Sequence, residues 1–330
     1  MRQEKSLPDP PKTLKSIRDG FDAITKHVGL ILFPILLDLF IWFAPHLRVK
    51  QRIERFLAGF SSLSTLENPE LNEVLQTNQE VWGIIAERLN LVAALRSYPV
   101  GIFSLLGSIF PLKTPIGSPL FVEIRSAGAA LLIVIGLLLI GMVLGTLYYT
   151  VVKQAALYDE VRLREAVSQW PWLIVHTLIL GLIWFVLFMA ISFLGGCIIV
   201  ASALINITIA QGAIFLLSVA YLWMLFPLFF SPHGIFVEKK NAWRSVYDSI
   251  RMTNLSFLQT GFFIVLAMLI TQGLNIVWQV PPENSWLMLV GIAGHAFVST
   301  AVLAASFVYY QDMSRWIREL RAWSEAEIST

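Results

Sequence analysis

Cysteine and charge are both scarce in this sequence. Its only cysteine, Cys197, lies in an apolar run, so there is no disulfide framework and no set of thiolates for a metal. Only 14% of the 330 residues are charged, whereas about a quarter are charged in soluble domains. The net charge of +2 is too small to indicate a nucleic-acid partner. These shortages exclude a disulfide-framed secreted domain and disfavour a soluble globular one.

Motifs of common enzyme classes are also missing. The sequence has no Gly-rich phosphate loop, no HExxH and no GxSxG. A hydrolase inside a membrane needs a nucleophile and a base, or a metal, at one depth. The five histidines are instead scattered along the chain: His27, His46, His176, His233 and His295. We therefore predict a protein that is not an enzyme and that uses neither a metal nor another cofactor.

Long charge-free stretches are the dominant feature that is present. No Asp, Glu, Lys or Arg occurs in residues 126–152, 166–237, 252–282 or 284–311. About 20 apolar residues in a helix cross the hydrocarbon of a bilayer. We predict an all-α membrane protein whose six transmembrane helices span residues 28–47, 125–152, 171–201, 208–231, 255–278 and 286–310.

The distribution of Lys and Arg predicts the orientation in the cell membrane. Six lie in the N-terminal segment, three in 153–170, four in 232–254 and three after residue 310. Because basic residues are retained in the cytoplasm, we expect both termini, residues 1–27 and 311–330, to be cytoplasmic. The basic stretch RVKQRIERF (48–56) falls on the outer side, but it opens a loop longer than about 60 residues, where the rule weakens.

Three parts of the chain share one pattern. A short amphipathic stretch precedes each outward crossing, within residues 1–27, near 158–170 and at 241–254. An aromatic pair ends each return crossing: Tyr148-Tyr149, Phe229-Phe230 and Tyr309-Tyr310. Amphipathic helices lie in the membrane interface, and aromatic rings favour the same level. The pattern predicts three helical hairpins, each with a cytoplasmic elbow helix.

The outer loop, residues 48–124, is the longest soluble segment. The spacing of apolar residues in 68–97 predicts an amphipathic helix, with Pro69 in its first turn. Residues 98–119 are apolar but are interrupted by Gly and Pro. Because broken backbone at membrane depth must be shielded by protein, we expect an interfacial or re-entrant cap here.

The segment AWRSVYDSIRMTNLSFLQTGFFIVLAML (242–269) feeds a basic elbow directly into a crossing. Together with LKSIRDGFDAITKHVGLILFPILLDLFIWFAPHL (14–47), it resembles the membrane domain associated with glycerophosphodiester phosphodiesterases. It also resembles related six-helix bacterial membrane proteins. The resemblance implies the membrane fold alone, since that family's chemistry belongs to a separate soluble barrel. The chain ends about 20 residues after the last predicted crossing, so we expect no such domain here.

Asp38 is the one carboxylate inside the first predicted crossing. A rise of 1.5 Å per residue places Asp38 about 15 Å deep, and His295 in the sixth crossing about 13 Å below the opposite edge. We therefore hypothesise that Asp38 and His295 face each other and relay protons or hold a headgroup. The competing interpretation is structural: Asp38 caps a helix break or bonds to a neighbouring helix.

Glycine and basic residues supply the remaining candidates. Small residues allow helices to approach closely in lipid, which predicts packing positions at Gly141, Gly145, Gly291 and Gly294. Basic residues near anionic lipid predict headgroup contacts at Lys239, Lys240, Arg244 and Arg251.

The function expected from these features is the organisation or binding of membrane lipids or of partner membrane proteins. One alternative is a small-molecule or lipid transporter with a polar site near Asp38. Another is an accessory subunit of a larger membrane complex.

Overall fold

The computed structural model describes residues 9–61 and 69–328, and nearly all of this part of the chain is α-helix. Within it, five helices are long and apolar enough to cross a membrane: α6 (Ala127–Tyr158), α7 (Leu163–Ile205), α8 with α9 (Ile207–Glu238), α11 (Phe257–Trp278) and α12 (Met288–Ile328). A sixth span requires the bent pair Thr13–Lys26 and Val28–Phe43, whose two parts meet at 92°. The prediction of a helical, multi-pass membrane protein is thus confirmed by length and composition.

The remaining elements are shorter. They are α1 (Thr13–Lys26), α2 (Leu32–Phe43), β1 (His46–Arg48), α3 (Lys50–Ser61), α4 (Pro69–Arg88), α5 (Leu106–Ile109), β2 (Phe121–Glu123) and α10 (Ala242–Leu255). Two 3₁₀ helices, Val28–Ile31 and Leu91–Arg96, precede α2 and α5. Within the Ile207–Glu238 span, α8 ends at Leu228 and α9 covers Ser231–Glu238. The described residues therefore form the predicted helical bundle together with one pair of short strands. The sequence did not predict the strands.

Helix α12 is the centre of the bundle. In the most apolar 18-residue stretch of α12, 67% of the residues are buried, whereas 11% are buried in the most apolar 18-residue stretch of α7. Small side chains on α12 allow the neighbouring helices to come close: a Cβ on Gly20 of α1 would overlap Ala305. The N-terminal amphipathic helix is consequently packed into the protein along α12, with Ser16 and Ile24 buried, and only its other face is exposed.

The bundle has two distinct ends. We call the end that carries residues 46–61 and 69–126 the loop end, and the end that carries α1 and the last part of α12 the terminal end. At the terminal end, Lys26 donates to Asp159 at 2.7 Å and ties the bend after α1 to the turn between α6 and α7. This hydrogen bond lowers the pKa of the Asp159 carboxyl below its usual range. Asp159 itself has a φ of 54°, the left-handed conformation in which helix α6 ends.

The three predicted elbows differ in the structure. The first is α1, packed on α12. The second is not a separate helix, because residues 163–170 continue into the 43-residue helix α7, which contains Pro171. The third is the separate helix α10, whose N-terminus is capped by the Asn241 side chain accepting from Arg244 N at 2.9 Å.

The aromatic pairs expected at the membrane interface are mostly buried inside the protein. Phe230 stacks on Tyr309, with ring centroids 5.7 Å apart, and Tyr309 stacks on Phe263 at 4.2 Å. Tyr149 contacts Phe307 edge to face. These rings lie between α6, α9, α11 and α12, so they hold the terminal half of the bundle together. The pairs mark helix packing and not contact with lipid headgroups.

The loop end is built around a pair of parallel strands. β1 follows α2 directly and pairs with β2, with His46 opposite Phe121 and Arg48 opposite Glu123. Helix α4 begins at Pro69, the residue predicted for its first turn. Backbone without regular helix or strand follows from residue 97 to 105 and leads into α5. This irregular segment enters the bundle, where Val100 and Leu105 are fully buried.

Candidate functional site

Asp38 lies on the inward face of α2 and is fully buried. Its Oδ1 accepts from Ser104 Oγ at 2.5 Å and from Leu106 N at 2.9 Å, and its Oδ2 accepts from Leu105 N at 3.1 Å. The Ser104 hydroxyl also accepts from Gly107 N at 2.8 Å. The carboxylate therefore caps the backbone at the start of α5, where the irregular segment ends.

These contacts explain why a carboxylate occurs in an apolar helix. An irregular segment inside a membrane protein leaves backbone N–H groups that no water can reach, and each costs free energy if it stays unpaired. Asp38 supplies acceptors for two such N–H groups and for one hydroxyl. The geometry favours the structural interpretation of Asp38 over a free transport site.

His295 has a different partner. Its Nδ1 lies 2.7 Å from the side-chain oxygen of Asn275, so this pair joins α12 to α11. Among the described residues no hydrogen bond links His295 to Asp38, whose two oxygens are bonded to residues 104–106. The hypothesis that Asp38 and His295 bond directly thus finds no support in the hydrogen bonds.

The four glycines predicted as packing positions all lie at close approaches. A Cβ on Gly141 would overlap Leu95 O, and one on Gly145 would lie 2.5 Å from Gly101 Cα. On α12, a Cβ on Gly291 would overlap Trp278 O, and one on Gly294 would lie 2.6 Å from the Trp278 ring. Gly141 and Gly145 therefore allow residues 95–101 to pack closely on α6. Gly291 and Gly294 allow the end of α11 to pack closely on α12.

A second polar region is a groove at the terminal end, between α10 and the last part of α12. Its volume is about 700 Å³. Five basic and two acidic side chains line it: Lys240, Arg244, Arg251, Arg318, Arg321, Glu238 and Asp248. Apolar and aromatic residues complete the lining, including Met252, Leu255, Ile317, Trp243 and Tyr247. The formal charge of this lining is +3.

The two acids of the groove are already paired. Lys240 Nζ lies 2.6 Å from Glu238 and 2.7 Å from Asp248. Arg318 also bonds to Glu238 at 2.9 Å, and the Tyr310 hydroxyl donates to Glu238 at 2.8 Å. These contacts connect α9, α10 and α12, so they stabilise the walls of the groove.

The other cations of the groove are less constrained. Arg244 is 3.9 Å from Asp248, and its side chain is 73% exposed. Arg251 and Arg321 are exposed and have no ion pair within the described residues. Trp243 and Tyr247, which are 70% and 63% exposed, lie one turn apart on the same face of α10. Unpaired cations beside exposed aromatic rings are typical of a surface that contacts lipid headgroups.

The predicted headgroup residues correspond only partly to this groove. Lys240, Arg244 and Arg251 line it, but Lys240 is held between two acids and Lys239 does not contribute to the lining. Sequence reasoning missed Arg318 and Arg321. Both arginines follow Ser314 and Ile317 at helical spacing, so they lie on the same face of α12. This periodicity is the sequence feature that could have identified them.

No family model, curated protein or solved structure matches this chain. Within the described residues, no three His, Cys, Asp or Glu side chains are grouped as they would be to hold a metal ion.

Proposed function

We propose that this chain is a non-enzymatic multi-pass membrane protein that binds anionic lipid headgroups at its terminal end. On this proposal the terminal end faces the cytoplasm of a cell membrane, and the bound lipid helps to organise the lipids or partner proteins around the bundle. The observation that carries the proposal is the groove of charge +3, in which Arg251 and Arg321 have no acidic partner among the described residues. The predicted resemblance to the phosphodiesterase-associated membrane domain is compatible with this function and remains a prediction.

The physical basis is the match between the groove and a phospholipid. A basic side chain at an anionic leaflet gains about 1 kcal/mol, so Arg251 and Arg321 together gain about 2 kcal/mol. On this proposal the exposed rings of Trp243 and Tyr247 lie at the membrane interface, the level that amphipathic aromatics favour. The apolar residues Met252, Leu255 and Ile317 offer a surface to the first carbons of the acyl chains. We favour lipid binding over transport because both oxygens of the Asp38 carboxylate already accept hydrogen bonds from residues 104–106 and are not free to bind a substrate.

The test measures how tightly phosphatidylglycerol and phosphatidylcholine bind to the purified protein in mild detergent, by titration with native mass spectrometry. The double variant Arg251→Gln/Arg321→Gln is expected to bind phosphatidylglycerol about thirtyfold more weakly, which corresponds to the loss of about 2 kcal/mol. Binding of phosphatidylcholine should change much less.

The matched control is Arg315→Gln, which removes a cation from the same helix but outside the groove, where Arg315 lies 3.7 Å from Asp312. If the double variant and the control retain phosphatidylglycerol equally well, the groove is not a headgroup site. Proteins that co-purify in fixed ratio from the same sample would instead favour the accessory-subunit alternative.

A further inference from the structure

An arginine lies immediately before the irregular segment. Arg96 ends the 3₁₀ helix Leu91–Arg96, and it donates three hydrogen bonds, all to neutral hydroxyls. Nε and Nη2 donate to the Tyr98 hydroxyl at 3.1 and 2.6 Å, and Nη1 donates to Ser108 Oγ at 2.6 Å. Arg96 forms no ion pair within the described residues. The Asp38 carboxylate is close enough to interact with its charge, but both oxygens of that carboxylate already accept hydrogen bonds from residues 104–106.

The position of Arg96 makes this arrangement unusual. The neighbouring Leu95 packs on Gly141, which lies 14 residues, or about 21 Å, from the start of α6. Leu139, Ile140 and Leu144, on either side of Gly141, are exposed, so α6 faces lipid at this level. A guanidinium at hydrocarbon depth is costly, and such residues mark functional sites.

The unused hydrogen-bonding capacity around Arg96 consists of donors. A guanidinium has five N–H groups, and the bonds to Tyr98 and Ser108 use three of them. The Tyr98 oxygen accepts two of these bonds, so its own O–H remains available to donate. Ser108 already donates to Ser104 O, at 3.3 Å. Two N–H groups of Arg96 and the O–H of Tyr98 are therefore neighbouring donors for which the described residues supply no acceptor.

The site is open to its surroundings. The Tyr98 side chain is 62% exposed and Ser108 is exposed, whereas their neighbours Ser97, Pro99 and Gly107 are buried. The backbone that presents Arg96 and Tyr98 is held rigidly, since Gly101 packs on Gly145 and Ser97 Oγ donates to Val100 O at 3.0 Å. A positioned cluster of donors that opens outward is suited to the oxygens of an anion.

We infer that Arg96, Tyr98 and Ser108 form a binding site for the anionic oxygens of a phosphate or carboxylate group, beside the middle of α6 and independent of the groove at the terminal end. The planar guanidinium binds two oxygens of such a group at once, and the Tyr98 O–H adds a third donor. The anion is either the headgroup of a lipid that approaches from the membrane or a free ion that enters from the loop end.

The test uses the full-length protein that also carries Arg251→Gln and Arg321→Gln, so that the groove at the terminal end does not contribute. Binding of phosphatidylglycerol and of neutral diacylglycerol is measured in detergent by native mass spectrometry. Arg96→Gln is expected to weaken phosphatidylglycerol binding at least about tenfold, and Tyr98→Phe about threefold, without an effect on diacylglycerol. Inorganic phosphate is then added as a competitor: displacement of the lipid identifies a site open to free anions, and its retention identifies a lipid site.

The matched control is Arg88→Gln. Arg88 is another cation of the loop-end segment, but its guanidinium already lies 3.9 Å from the Glu283 carboxylate. Tyr98→Phe removes only the hydroxyl and keeps the Arg96 charge and the aromatic ring. It therefore tests the site even if Arg96→Gln does not fold. Unchanged phosphatidylglycerol binding in both folded variants, or an equal loss in Arg88→Gln, would overturn the inference. Failure here leaves the groove proposal standing, because the two sites are measured separately.

Discussion

At the scale of single residues, Asp38 shows how a membrane protein accommodates broken backbone. The segment from 97 to 105 lacks the internal hydrogen bonds of a helix, and its backbone donors at the start of α5 lie inside the bundle. A carboxylate is the side chain with the greatest capacity to accept, and Asp38 takes three bonds in one place. The cost of burying Asp38 is offset by the N–H groups that it satisfies.

This role predicts a graded effect of substitution. Asp38→Ala leaves two N–H groups and a hydroxyl unpaired, and it should lower the free energy of unfolding by about 3 kcal/mol or more. Asp38→Asn keeps one oxygen that accepts two bonds, so we expect a loss of about 1–2 kcal/mol. The thermal midpoint in detergent measures both. If Asp38→Asn and Asp38→Ala were as stable as the parent, the carboxylate would have to serve some purpose other than holding the segment.

At the scale of elements, glycine decides which parts of the chain lie side by side. Helix α6 has four glycines, at positions 128, 136, 141 and 145, but only the last two closely approach another segment. The segment around residues 95–101 therefore packs along one stripe of α6, whereas Leu139, Ile140 and Leu144 on the same helix are exposed. On the other side of the bundle, Gly20 permits the same close approach of α1 to α12.

A matched pair of substitutions in α6 tests this arrangement. Gly145→Ala should destabilise the protein by about 1–3 kcal/mol, since the new Cβ would lie 2.5 Å from Gly101 Cα. Gly136→Ala, with nothing within 4 Å of its Cβ, should instead stabilise by up to about 1 kcal/mol through helix propensity. Unfolding in detergent compares the two variants. Equal effects would mean that the irregular segment does not pack against α6 as described.

At the scale of the whole molecule, burial is distributed very unevenly. α12 is enclosed by α1, α2, α6 and α11, whereas the hairpin of α7 and α8 exposes large apolar side chains such as Phe193, Leu204 and Trp223. A surface of this kind is stable only in lipid. The polar groove lies at the terminal end, whereas the Arg96 site lies beside the middle of α6, so the orientation in the membrane decides which compartment the groove faces.

Cysteine labelling tests that orientation directly. Cys197 is exposed, so it is first replaced by Ser. In intact cells a membrane-impermeant maleimide is expected to label Ile116→Cys at the loop end but not Glu160→Cys in the turn between α6 and α7. Permeabilisation should make both react. Labelling of Glu160→Cys from outside would reverse the orientation, and the groove would then face the exterior.

The sequence by itself determined that the protein is helical and multi-pass, because charge-free runs of this length are stable only as helices in lipid. It also indicated close approaches at Gly141, Gly145, Gly291 and Gly294, because glycines in apolar helices can be identified from the sequence and let neighbouring segments come close. Only the tertiary structure decided what Asp38 binds, that the second elbow belongs to α7, and that the aromatic pairs are internal. Those features depend on which segments meet across the bundle, and the partners of Asp38 are more than sixty positions away in the chain. Hydrophobic periodicity records which face of a helix avoids water, but it does not record whether lipid or protein covers that face.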